Sequence, residues 1–134
     1  MRLLVILQCA YYHNGKPRER QIWEKELWKS HTGRRLRTML PEDQRLSIIV
    51  INAASNVGLF SNAVLNPDLT HIANWVGRLQ PDAIMACGMI AHAALDALQV
   101  SHMAVPHPAW RQLKNSQCDQ IKETIQGMVE RMHT

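Results

Sequence analysis

Four short, nearly unbroken apolar runs punctuate the chain: Leu3 to Leu7, Ser47 to Ala53, Ala83 to Cys87 and Val100 to Val105. Runs of this length, rich in Val, Ile and Leu and without polar alternation, predict strands covered on both faces, as in a parallel sheet. The segments between them read as helical, over about Arg18 to Trp28, Arg34 to Leu40, Asp68 to Leu79 and Ile90 to Leu98. A last amphipathic segment, Gln117 to about Met132, repeats Ile121, Ile125, Met128, Val129 and Met132 at three- and four-residue steps, which gives it one face to lay on the sheet. The order β, α, β, α, β, α, β, α predicts a three-layer α/β/α sandwich around a four-stranded parallel sheet with right-handed crossovers.

Boundary residues agree with that order. Asn66-Pro67-Asp68 supplies an N-cap, a proline at the first helical position and an acidic first turn, and Gln80-Pro81-Asp82 ends that helix ahead of the third strand. Neither a repeat nor a linker divides the chain, so residues 1–134 are expected to form one domain. The opening "MRLLVILQCAYY" has too short an apolar stretch, and no small-residue cleavage pattern, for a signal peptide; it reads as a buried strand.

Composition narrows the partners. No apolar run approaches the roughly 20 residues that cross a bilayer, so no membrane association is expected. The three cysteines, Cys9, Cys87 and Cys118, are odd in number and far apart, which fits free thiols in a reducing, cytoplasmic compartment. With neither an HExxH nor a CxxC pattern, no metal and no cofactor are expected. The net charge of +4 favours an anionic partner, of which nucleic acid is the commonest. Oligomeric state is left open.

In an open parallel sheet, ligands bind beyond the carboxyl ends of the strands, which selects four loops: "QCAYYHNG", "NAASNVG", "CGMIAH" and "PHPAWR". His107 lies between Pro106 and Pro108 in a stiff extended segment. It either caps its loop or meets developing negative charge and shuttles a proton. Asn52 ends "IIVIN" and either bonds the neighbouring backbone or reads a base edge. Gly88 opens a helix where backbone N–H groups can meet an anion, or serves only a turn. His92 and His71 read as surface or satisfied helix residues. In "GRRLRTML", Leu36, Met39 and Leu40 form the buried side, while Arg34, Arg35 and Arg37 form either a solvated face or a phosphate contact. Trp23 and Trp28 include a core anchor, whereas Trp110 stands on a site loop where an aromatic can stack on a base or wedge into a duplex.

In chain order "LQCAYYHNG", "GRRLRTML", "IIVINAASN", "AIMACGMIAHAAL" and "VPHPAWR" resemble the ordered motifs of the uracil-DNA glycosylase superfamily, across nearly the whole chain. The order is more specific than any single match. The resemblance implies a DNA N-glycosylase, a hydrolase that flips a uracil-type or modified base out of DNA for repair or modification. His107 would stabilise the base leaving as an anion, and Asn52 would hydrogen-bond its edge. Tyr11 would wall the pocket and Gln8 would supply backbone contacts. Arg34, Arg35, Gly88, Trp110 and Arg111 would lie against the DNA.

Two positions depart from that pattern. Cys9 stands where the family has its water-activating Asp or Asn, and a thiol of pKa about 8.5 is a poor general base at neutral pH. His13, with Asn14, is the nearest polar replacement. Ala109 stands where serine is frequent, which removes a phosphate donor. Two alternatives follow: a relative of the same fold that binds DNA or modifies a base without hydrolysis, and a small nucleotide-binding α/β domain.

Overall fold

The computed structural model describes residues 1–8, 10–11, 20–54, 57–58 and 66–134. Its strands and helices are β1 (Arg2–Leu7), β2 (Ala10–Tyr11), α1 (Arg20–Lys29), α2 (His31–Thr38), β3 (Ser47–Asn52), β4 (Val57–Gly58), α3 (Leu69–Leu79), β5 (Ala83–Cys87), α4 (Met89–Ala97), β6 (Met103–Val105) and α5 (Asn115–Met132). The main sheet has the order β3-β1-β5-β6 and every pairing in it is parallel.

Alternation along the strands divides the core into two layers. Leu3, Val5 and Leu7 of β1 pack with Leu27, Leu36, Met39, Cys118 and Ile125, so α1, α2 and α5 cover one face. Leu4 and Ile6 pack with Ile72, Ala91, Ala94 and Leu95, so α3 and α4 cover the other. The chain leaves β1 in one direction through α1 and α2 and comes back across it through α3. Each reversal therefore changes the covered face, as right-handed crossovers require. The expected α/β/α arrangement and its four-stranded parallel sheet are thus present.

Several local expectations change. The N-cap of α3 is Asp68, not Asn66, because the Asp68 carboxylate accepts the His71 amide at 3.0 Å. The fourth strand begins at Met103 rather than Val100. The Val100 amide closes the turn after α4 by donating to Leu95, and the Val100 carbonyl accepts from His102 Nδ1, so neither group is left for a ladder. On α5, Cys118 joins the buried face beside Ile125 and Val129, while Met132 is exposed. Trp28 packs partly buried against the first core layer, and the side chain of Trp23 lies outside the described residues.

A two-rung parallel ladder was not anticipated: Ala10 pairs with Val57 and Tyr11 with Gly58. It continues the pairing of β1 and β3 past their carboxyl ends, where the Ala53 and Ala54 amides donate to the carbonyls of Leu7 and Gln8. Two-residue strands leave too little periodicity to be seen in sequence. Among the described residues, no helix is long and apolar enough to cross a membrane.

Candidate functional site

The strand order changes direction between β1 and β5, which marks the carboxyl ends of these strands as the natural place for a ligand. Gly88 follows β5 and opens α4 with φ at +92°, a conformation that side chains rarely adopt. Its amide donates to the Val105 carbonyl at 2.9 Å, which ties the start of α4 to the end of β6. The loop that leaves β6 then folds back over this junction. His107 packs on Gly88, where a Cβ would lie 3.3 Å from His107 Cβ and 3.7 Å from Cδ2, the ring carbon beside Nε2.

The protonation state of His107 follows from its surroundings. The Ala109 amide donates to Nδ1 at 3.1 Å, so the neutral ring carries its proton on Nε2. Burial holds the imidazole below its ordinary value of 6.5, which favours that neutral form at physiological pH. The result is a half-buried, uncharged N–H donor on a rigid loop. Pro108 is buried, and the turn continues with the Trp110 amide donating to the His107 carbonyl.

A pocket of about 450 Å³ opens here, walled by Gly88, Met89, His92, Pro106, His107 and Trp110. Its walls are almost entirely apolar apart from the histidines, and its rim carries two large exposed side chains, Met89 at 79% and Trp110 at 47%. Arg111, next along, is exposed. A second cavity, of about 310 Å³ between Arg2, Ser47 and Arg78, lies at the amino ends of the strands, away from these groups.

Asn52 stands at the end of β3, opposite Leu7 in the register. Its Oδ1 is buried and has no hydrogen-bond partner among the described residues. A buried acceptor left unmet costs roughly 1–3 kcal/mol. Asn52 is not part of the His107 pocket. Outer strands β3 and β6 are separated by three strand spacings, about 14 Å at the backbone.

The remaining expected residues divide. Gln8 follows β1, and its carbonyl is engaged by the Ala54 amide. Cys9, His13 and the side chain of Tyr11 lie outside the described residues. Cys87 is buried and its thiol is pushed up to about 12, so it is inert as a nucleophile. Arg34 is exposed on α2, but Arg35 is committed within the fold, donating to the Leu113 carbonyl at 2.7 Å and to Asn115 Oδ1 at 2.8 Å. Arg37 lies over the Trp28 ring at 5.2 Å.

One cluster was missed in sequence. His92 is hydrogen-bonded, as expected of a partly buried helix residue, but its partner is His102, and Asp96 joins them. The signal available was the four-residue step from His92 to Asp96, one turn of α4. No family model, curated protein or solved structure matches the chain.

Proposed function

We propose that this protein binds a uracil-type or modified base drawn out of DNA and cleaves its N-glycosidic bond. The observation that carries the reading is the pair of polar groups left without a partner among the described residues, at or beyond the strand ends: the Nε2–H of His107 and the buried Oδ1 of Asn52. A base edge offers the complement of both, a carbonyl for His107 and a ring N–H or amino group for Asn52. The reading requires both side chains to reach inward over the ends of β1 and β5.

The chemistry asks for a neutral donor. As the bond from the sugar to the base nitrogen breaks, its electron pair passes to the base, and charge grows on the base oxygen. An N–H aimed at that oxygen stabilises the charge, and removing such a donor costs about a hundredfold or more in rate. Water adds to the sugar carbon and gives up its proton to solvent or to the departing base. Exposed Met89 and Trp110 at the pocket rim are suited to entering a base stack, and Arg111 and Arg34 to meeting phosphates.

The test is abasic-site formation on oligonucleotides carrying uracil, hydroxymethyluracil and other modified bases, compared between the wild type and His107→Ala. Abasic product that falls about a hundredfold in the variant is expected. A second reading rests on Cys9 at the expected Asp or Asn position: DNA binding without hydrolysis. Salt-dependent DNA binding with no product on any substrate would favour that alternative. Binding of neither DNA nor any base would overturn both.

A further inference from the structure

We propose that His92, Asp96 and His102 form a binding site for a divalent first-row transition metal of the zinc class, at the junction of α4 and β6. The site is independent of the base-recognition reading. Ligand atoms of the three residues lie within 4.8 Å of one another. His92 and Asp96 stand one turn apart on the same side of α4, with His92 Nε2 3.3 Å from Asp96 Oδ2. His102 enters from the segment before β6, 3.8 Å from Asp96 Oδ1.

Proton bookkeeping makes this cluster more than a set of neighbours. His102 Nδ1 lies 2.7 Å from the Val100 carbonyl, which can only accept, so Nδ1 carries the proton and Nε2 presents a lone pair. His92 Nδ1 approaches that lone pair at 2.7 Å and must supply the hydrogen between them. In a neutral ring the other nitrogen, Nε2, is then bare and faces the Asp96 carboxylate. The His102 lone pair is met by that hydrogen, but a bare His92 Nε2 facing a carboxylate sets two acceptors against each other, and the arrangement calls for a cation. Among the described residues no lysine or arginine comes within ion-pair distance of Asp96 to provide one. Either an extra proton on His92 or a metal ion does so.

The supporting shell is the kind that metal-binding histidines use. A backbone carbonyl fixes the tautomer and orientation of His102, whose side chain is only 5% exposed. His92 and Asp96, at 37% and 62%, keep the cluster open to solvent, so an ion can enter. Two imidazoles and a carboxylate suit zinc, cobalt or nickel rather than calcium or magnesium. An ion replacing the hydrogen between His92 Nδ1 and His102 Nε2, with bonds of about 2.0–2.1 Å, places those nitrogens about 3.3 Å apart, so the rings must part by roughly half an ångström, and the His92 proton moves to Nε2, where it meets the Asp96 carboxylate. Three protein ligands leave one tetrahedral position for water or a ligand. His92 also walls the pocket that holds His107, so an ion here would sit beside that pocket.

The full chain, stripped with chelator, is titrated with Co²⁺ and with Zn²⁺, following visible d–d absorption and calorimetric stoichiometry. One ion per chain is expected. Asp96→Asn, on a largely exposed side chain and so safe for folding, and His102→Gln should each weaken binding by at least 10–100-fold, the range that loss of an outer partner alone produces. His31→Gln, at an exposed position on α2 across the sheet from α4, should leave binding unchanged. Absence of stoichiometric binding by the wild type overturns the site. Affinity unmoved in Asp96→Asn, or lost in His31→Gln, overturns it equally. No outcome depends on DNA or base release, so failure here leaves the glycosylase reading where it stands.

Discussion

The side chain of His107 packs on the bare α-carbon of Gly88: a Cβ there would stand 3.3 Å from His107 Cβ and 3.7 Å from its ring carbon Cδ2. Gly88→Ala therefore meets two obstacles, a φ of +92° and a tight contact with the His107 Cβ. Backbone strain of this kind costs about 1–3 kcal/mol. Urea unfolding should show that loss. On the proposed glycosylase reading, base release should fall further than stability explains, because the side chain that must shift carries the donor.

Burial lowers the His107 pKa in the folded protein, which fixes the sign of its pH dependence. The unfolded chain binds this proton near 6.5 and the folded chain only at lower pH, so between the two values the unfolded state holds more protons. The stability contributed is fully present above 6.5 and is lost as pH falls through that window. His107→Gln should flatten this part of the stability profile. An NMR titration should place the His107 midpoint below 6.5; a midpoint above it would contradict the buried neutral ring.

Why some of this was legible in sequence and some was not follows from the range of the forces. Leu3 to Leu7 and Ala83 to Cys87 read as strands because a parallel strand is covered on both faces, which writes itself as a continuous apolar run. The His107 loop was legible because prolines act locally. Arg35 was not, since its acceptors Leu113 and Asn115 lie about eighty residues away and meet it only through the packing of α2 on α5. The His92 cluster was hidden because His102 reaches it only after Gln99 turns the chain with φ at 57°.

Gly33 is fixed by a different contact. A Cβ there would lie 1.7 Å from the Leu27 carbonyl oxygen and 2.8 Å from the Trp28 α-carbon, both backbone atoms that cannot swing aside. Ser30 caps α2 by accepting the Gly33 amide, which sets this close approach of α1 and α2. Gly33→Ala should cost at least the ~1–3 kcal/mol of an overpacked core, read as a lower denaturant midpoint.

Asn52 poses the opposite case. Because its Oδ1 is buried without a partner among the described residues, Asn52→Leu, of similar shape, removes an unmet acceptor and should leave the protein as stable or about 1 kcal/mol more so. On the proposed glycosylase reading, base release should be lost in the same variant. A marked fall in Tm would show instead that the asparagine is a structural tie.

The two adjacent arginines of α2 separate fold from partner. Arg35 holds the Leu113 carbonyl and Asn115 Oδ1, so Arg35→Ala should cost about 1–2 kcal/mol, reduced from the full value of charged hydrogen bonds by its exposure. Arg34 is exposed, and Arg34→Ala should leave stability within about 0.5 kcal/mol of wild type. If α2 faces DNA, that same change weakens binding evenly across sequences and reduces the slope of log affinity against log salt by about one. Fluorescence anisotropy at several salt concentrations reads the slope directly. An unchanged slope would remove Arg34 from the interface and leave Arg111 and the α4 end to carry it.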